Sequence, residues 1–256
     1  MESRVITDES GSADAALTTL KNPTLRSLLI RRVVITIINY AFLAFIDQCL
    51  VVLQPLMYSS SIHLGGLGFS SFTIGIIMGV WGVINGVISI FAFPKVLRKL
   101  GVRKLYIAAF GSYFVCLAAF PVMSAIVKQS GSVDSKVWTI LILQLTFYVL
   151  AFMGYGEFVA ALFRWARISC STGCIFLYIN DGAPRSALGA LNGLAQMTAS
   201  TMRALAPSTA SSLFSMSLQR DVVRGNMVYM VLCAITIVGM YASCQLPRSL
   251  RSQETR

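Results

Sequence analysis

The sequence predicts an all-α integral membrane protein, with six transmembrane helices arranged as two inverted three-helix repeats. Three observations carry that prediction. The chain is 56% hydrophobic and only 12% charged, about half the charge of ordinary soluble domains, near 25%. Its apolar residues gather into runs of about twenty, the length that crosses a hydrocarbon core of roughly 30 Å. Its cations cluster mainly between those runs, as charged loops on one membrane face do. The same composition excludes a disordered chain, which would be poor in apolar side chains.

Residues 1–32 form a polar cytoplasmic segment that ends in a basic stretch, Arg26, Arg31 and Arg32. Met1 to Leu20 is acidic and Ser/Thr-rich with no cationic start, unlike a signal peptide. A first span covers about 33–57. A Gly/Ser-rich loop holding His63, the one histidine, leads to a second span at about 72–93. Pro94 to Lys104 carries five cations and no acid, and reads as a loop. The third span runs about 105–127 and the fourth from Val137 to about Gly156. An ambiguous stretch, 157–181, precedes a fifth span at about 187–215 and a sixth at about 226–246. Residues 33–247 thus form one six-span unit, and 248–256 a basic cytoplasmic tail.

Counting cations orients the chain. The flank from Lys21, the loop 94–104, the region 164–185 and the tail hold 4, 5, 3 and 3 cations. The opposite side holds only Lys128, Lys136, Arg220 and Arg224. Both termini are therefore expected in the cytoplasm. The net charge of +11 belongs to these loops, which argues for lipid and against nucleic acid as the partner. Most of the six cysteines lie inside apolar runs, and no CxxC pair occurs, so neither a zinc site nor a disulfide framework is indicated. An enzyme reading finds no support: there is no intramembrane histidine, no paired carboxylate at helical spacing, and no GxSxG, HExxH or phosphate loop.

Polar residues inside a span mark function. Asp47 lies in the middle of the first span, with Tyr40 and Gln54 seven residues to either side on the same face. A charge there costs about 2.5–3.5 kcal/mol on insertion scales, so Asp47 should face a cavity or partner, as a proton or cation-substrate site or as a structural hydrogen-bond acceptor. The fifth span aligns Gly189, Gly193, Gln196, Ser200, Arg203 and Pro207 on one face, flanked by Asn192. Arg203 cannot lose its charge and should point into the bundle, toward a substrate or a fixed ion-pair partner such as Asp47. The fourth span places Gln144, Tyr148 and Tyr155 on one stripe. Gly75, Gly79, Gly82 and Gly86 fall on one face of the second span and suit close helix packing. Spans three and six, with no charged residue, read as outer and lipid-facing. The similar small-residue openings at Ile74 to Gly79 and Leu188 to Gly193 suggest the inverted repeat.

These features together resemble the C-terminal six-helix half of the major facilitator superfamily. Arg98-Lys99-Leu100-Gly101-Val102-Arg103-Lys104 is similar to the family's basic loop motif, whose upstream Gly and Asp are absent here. Gly189, Asn192, Gly193, Gln196, Arg203, Ala204, Pro207, Ser212, Leu213 and Phe214 resemble the penultimate-helix pattern of the drug/proton antiporter-like branch. The resemblance covers about residues 20–247. It implies one half of a twelve-helix transporter that moves a small molecule by alternating access, driven by a proton gradient and using no cofactor. Asp47 would be the protonatable group, Gln196 and Arg203 would organise the inner face, and Gln54, Gln144 and Tyr148 would line the cavity. Gly101, Arg103 and Lys104 would belong to the gating loop. A lone half would turn a polar face to lipid, so it would need a second half-transporter or a second copy of itself. The alternative is a truncated chain that does not transport and only associates with other membrane helices.

One segment interrupts this pattern. Joining Gly156 to Cys174 gives a continuous apolar run of 28 residues, VWTILILQLTFYVLAFMGYGCIFLYIND. The codons for Gly156-Glu157-Phe158 and Thr172-Gly173 permit splice signals, and removal keeps the frame. Residues 157–173 are accordingly hypothesised to be a retained intron. Messenger RNA is expected to lack them, and transcripts reading continuously through the segment would remove the idea.

Overall fold

The computed structural model describes residues 31–152, 188–219 and 225–244. Among them it holds α1 (Arg31–Ser59), a 3-10 turn (Ile62–Leu64), α2 (Ser71–Ser130), α3 (Ser135–Phe152), α4 (Leu188–Gln219) and α5 (Met227–Cys244), and no strand. α1 packs chiefly on α4, α2 on α3, and α5 against α2 and α1. Five segments are long and apolar enough to cross a membrane: Val33–Ser59, Ser71–Ile88, Arg103–Ser130, Ser135–Phe152 and Met227–Cys244. The expected fifth span also forms a helix, the 32 residues of α4. Its Ser, Thr, Gly and Gln content keeps it out of that set. The segment 1–30, the 157–173 interruption, Tyr155 and the tail lie outside the described residues.

Local chemistry sets the helix ends. The Ser70 hydroxyl accepts from the Thr73 N–H at 3.2 Å and caps α2. Gly131, at φ 69°, closes the other end by donating to the Val127 carbonyl. The connection before α2 folds back on α1: Leu67 donates to Met57, Gly68 to Ser60 and Phe69 to Tyr58, all through the backbone.

Two expectations are corrected. Residues 94–104 are not a loop. α2 is helical on both sides of a single residue, Gly101, at φ 74° and ψ 162°. Neither its glycine nor its cations break a helix unless the backbone leaves the helical region, and only Gly101 does. The second correction concerns span three. Its window is 56% buried, as deep as that of α1, while the first arm of α2 is only 6% buried. Lack of charge does not distinguish lipid from protein as surroundings. What packs this arm is an apolar face of Leu105, Tyr106, Ala109, Phe110, Tyr113, Cys116, Leu117 and Phe120, all at most 1% exposed and spaced at helical intervals.

Candidate functional site

The site is built around Asp47, half-buried near the middle of α1. Its Oδ1 accepts two phenol hydroxyls, Tyr113 and Tyr148, each at 3.0 Å. Tyr113 comes from the second arm of α2 and Tyr148 from α3, and their rings meet edge-on at 6.2 Å and 72°. Trp81, from the first arm of α2, stacks on Tyr148 at 4.8 Å and 8°. Its indole N–H donates to the Leu145 carbonyl at 3.0 Å. Three helical segments thus meet at one carboxylate, and a fourth is linked to it through the Tyr148 ring. A hydrogen bond to a charged group is worth about 1.5–3 kcal/mol, and this pair gives an intramembrane carboxylate the donors that lipid cannot supply.

A second group joins α1 to α4. The Tyr40 hydroxyl donates to Gln196 Oε1 at 3.4 Å, and the Arg203 guanidinium lies 6.0 Å from the Tyr40 ring centroid. That is the geometry of a cation–π contact, about 0.5–1 kcal/mol when exposed and more when desolvated. Cys49 adds a thiol donation to the Ala206 carbonyl at 3.7 Å.

Gln144 is buried and clasps α2. Its amide donates to the Cys116 carbonyl at 3.0 Å, and the Cys116 thiol returns a bond to the Gln144 carbonyl at 3.5 Å. Gln54 is buried at 1% exposure, and its amide lies beside the Tyr58 hydroxyl. The structure therefore brings Asp47 and Tyr148 together, and Gln196 and Arg203 together through Tyr40. It holds Gln54 and Gln144 in the interior.

The packing candidates divide. Gly75, Gly79, Gly82, Gly189 and Gly193 are exposed, and a Cβ at any of them would meet nothing within 4 Å. Gly86, Asn192 and Pro207 are half-buried, with Pro207 inside an unbroken α4. Gly101 makes the elbow of α2. Arg103, just past it, donates to the carbonyl of Cys244 at 2.8 Å, one of the carbonyls a helix end leaves without an intrahelical donor. Lys104 is exposed.

Sequence reasoning missed Tyr113, because the third span was read as lipid-facing. The usable signal is its spacing: Tyr106 and Tyr113 lie seven apart, and both hydroxyls reach α1, at Asn39 and Asp47. Among the described residues no group of His, Cys, Asp or Glu could hold a metal ion.

Known proteins of similar sequence are transporters. The major facilitator-type transporter psiT2 of Psilocybe cyanescens is 25% identical over 229 residues, covering 83% of this chain and 39% of the transporter. Its namesake in Psilocybe cubensis is 23% identical, over 96% of this chain and 44% of the transporter. The efflux pump azaK of Aspergillus niger is 23% identical, over 77% and 38%. No family model and no solved structure matches the chain. The chain spans about two fifths of the length of the first two of these relatives. The chain is thus similar in sequence to major facilitator-type transporters, over less than half the length of each.

Proposed function

We propose that this chain is the C-terminal half of a secondary active transporter of the drug/proton antiporter-like branch. It moves a small molecule by alternating access coupled to protons, together with an N-terminal half or a second copy of itself. The six spans would form two inverted repeats, with both termini cytoplasmic. The observation that carries the reading is the Asp47 carboxylate held by Tyr113 and Tyr148 within an apolar helix.

That arrangement can register a proton. As a carboxylate, Asp47 only accepts, and both phenols donate to it. Once protonated it carries an O–H of its own, and its claim on the two donors weakens. Tyr148 is fixed to Trp81 by stacking, so the change reaches both arms of α2, α3 and α1. Gain or loss of one proton is thereby coupled to helix packing, as alternating access requires.

A partner half is supported by the surface. α4 exposes Gln196, Ser200, Thr201, Ser208, Ser211 and Ser215, polar groups that lipid solvates poorly. Reconstitution of the chain alone, and together with the N-terminal six-span half of a similar transporter, tests the proposal. Luminal pyranine would report proton movement against a panel of small organic solutes. Solute-dependent proton flux is expected with the partner half. Its absence in every combination would favour the alternative, a non-transporting chain that only associates with other helices.

A further inference from the structure

Cations gather at one end of the bundle. Arg31 opens α1, and Lys95, Arg98, Lys99, Arg103 and Lys104 stand around the elbow of α2. Two hydrogen bonds hold these segments together. The Tyr106 hydroxyl donates to the Asn39 carbonyl, near the start of α1, and Arg103 donates to the carbonyl of Cys244, the last residue of α5. The other end holds Lys128 and Lys136 together with Asp134. Among the described residues the carboxylates are Asp47 and Asp134 alone, and neither is near the elbow. Asp134 lies beyond the far end of the 28-residue arm Arg103–Ser130, about 42 Å away at roughly 1.5 Å per residue. Asp47 meets Tyr113, which stands about 15 Å up the same arm from Arg103.

The elbow also sits at the edge of two membrane-crossing segments. Ser71–Ile88 and Arg103–Ser130 are each long and apolar enough to span, so 89–102 joins them outside both. The joining stretch stays helical up to Gly101. Ala92, Val96 and Leu97 pack on the core of the bundle. Lys95, Arg98 and Lys99 lie within one turn of each other on the outward face. All three are exposed, as is Lys104 past the elbow, whereas Arg103 is half-buried and engaged at Cys244. Phe91 is 66% exposed and Leu100 44% exposed beside these cations. Basic residues next to exposed aromatic and aliphatic side chains are what a helix at headgroup level presents.

We propose that Lys95, Arg98, Lys99 and Lys104 form a binding surface for the headgroups of acidic phospholipids, with Phe91 and Leu100 lying against the acyl chains. The Arg98 guanidinium offers a fork of donors that fits a phosphate, and the three lysines add mobile point charges. Four exposed cations this close repel one another, and no carboxylate among the described residues relieves them. An anionic headgroup supplies the missing charge at the depth where phosphates lie. The inference needs neither the proton role of Asp47 nor transport.

Native mass spectrometry of the full chain in detergent, titrated with phosphatidylserine or with phosphatidylcholine of the same acyl chains, tests the surface. Phosphatidylserine should bind the more tightly. Each cation close to an acidic headgroup is worth about fivefold in affinity, so Arg98→Gln with Lys99→Gln should weaken phosphatidylserine roughly twenty-five-fold and leave phosphatidylcholine nearly unchanged. Lys128→Gln with Lys136→Gln removes the same charge at the other end and should change phosphatidylserine binding by less than about twofold. Circular dichroism checks that both double variants keep their helix content. Equal binding of the two lipids to the unmodified chain would overturn the proposal. So would equal losses in the two double variants, which would mean attraction by net charge alone. No loss in Arg98→Gln with Lys99→Gln would overturn it as well, and would point to an acidic stretch of this chain, such as residues 1–20, covering the cations.

Discussion

Replacing Asp47 by asparagine is expected to abolish proton-driven flux while leaving the bundle folded. Asparagine keeps the shape of the side chain and an oxygen that can accept from Tyr113 or Tyr148, which both reach Oδ1 at 3.0 Å. It cannot take or release a proton in this pH range. If the carboxylate is the coupling group, flux should fall by at least about a hundredfold, since Asp47 is the one carboxylate within the described membrane spans. What remains should no longer depend on the proton gradient. Tyr113→Phe and Tyr148→Phe should each remove one charge-assisted bond, about 1.5–3 kcal/mol. That converts to roughly a ten- to hundredfold loss if the bond is used in the rate-limiting step. Tyr148→Phe keeps the ring that stacks on Trp81, so it separates the hydroxyl from the aromatic contact. Flux and proton coupling in reconstituted vesicles, with folding checked by circular dichroism, decide the matter. Unchanged coupling in Asp47→Asn would end the assignment of the proton to this residue.

Why Asp47 was legible in the sequence while Tyr113 was not has a physical reason. A carboxylate amid Ile, Leu, Val and Phe has no cheap place in hydrocarbon, so its isolation alone announces a partner. The i, i+4 spacing of Gln144 and Tyr148 likewise placed both on the inward stripe of α3, where both are buried. A tyrosine in an apolar helix carries no such signal. Its ring is at home in the core and its hydroxyl at the interface, and only the neighbour it reaches tells which applies. The depth of α2's second arm was hidden for a related reason: mean hydropathy is equal for a helix packed in protein and one bathed in lipid. The glycine stripe of α2 was legible as a face, but among the described residues nothing packs on it, since no atom comes within 4 Å of a Cβ at Gly75, Gly79 or Gly82. The elbow was misread because a glycine amid cations looks like a loop, whereas one backbone conformation at Gly101 turns the chain.

Alanine at Gly239 and alanine at Gly101 should both destabilise the chain, for opposite reasons that one further substitution separates. A Cβ at Gly239 would sit 2.5 Å from Cζ and 2.9 Å from Cε1 of Phe110, and 3.3 Å from Cβ of Phe42. Phe110 is 0% exposed, within the core, so its ring has little room to withdraw. Overpacking of this kind costs typically about 1–3 kcal/mol, and here it would push α5 away from α1 and α2. Gly101 presents the reverse case. A Cβ there would meet nothing within 4 Å, yet φ 74° with ψ 162° lies in a region that glycine alone enters readily. Alanine held in place would cost about 1–3 kcal/mol. The chain's escape is to become helical through 101, straightening the two arms of α2 and pulling Arg103 off the Cys244 carbonyl. Each variant should lower the thermal midpoint in detergent by about 4–8 °C for a loss near 2 kcal/mol. Adding Phe110→Leu should return much of the loss at Gly239, because it removes the ring that clashes, and none at Gly101. Equal rescue of both would mean that the elbow is held by side-chain crowding and not by backbone conformation.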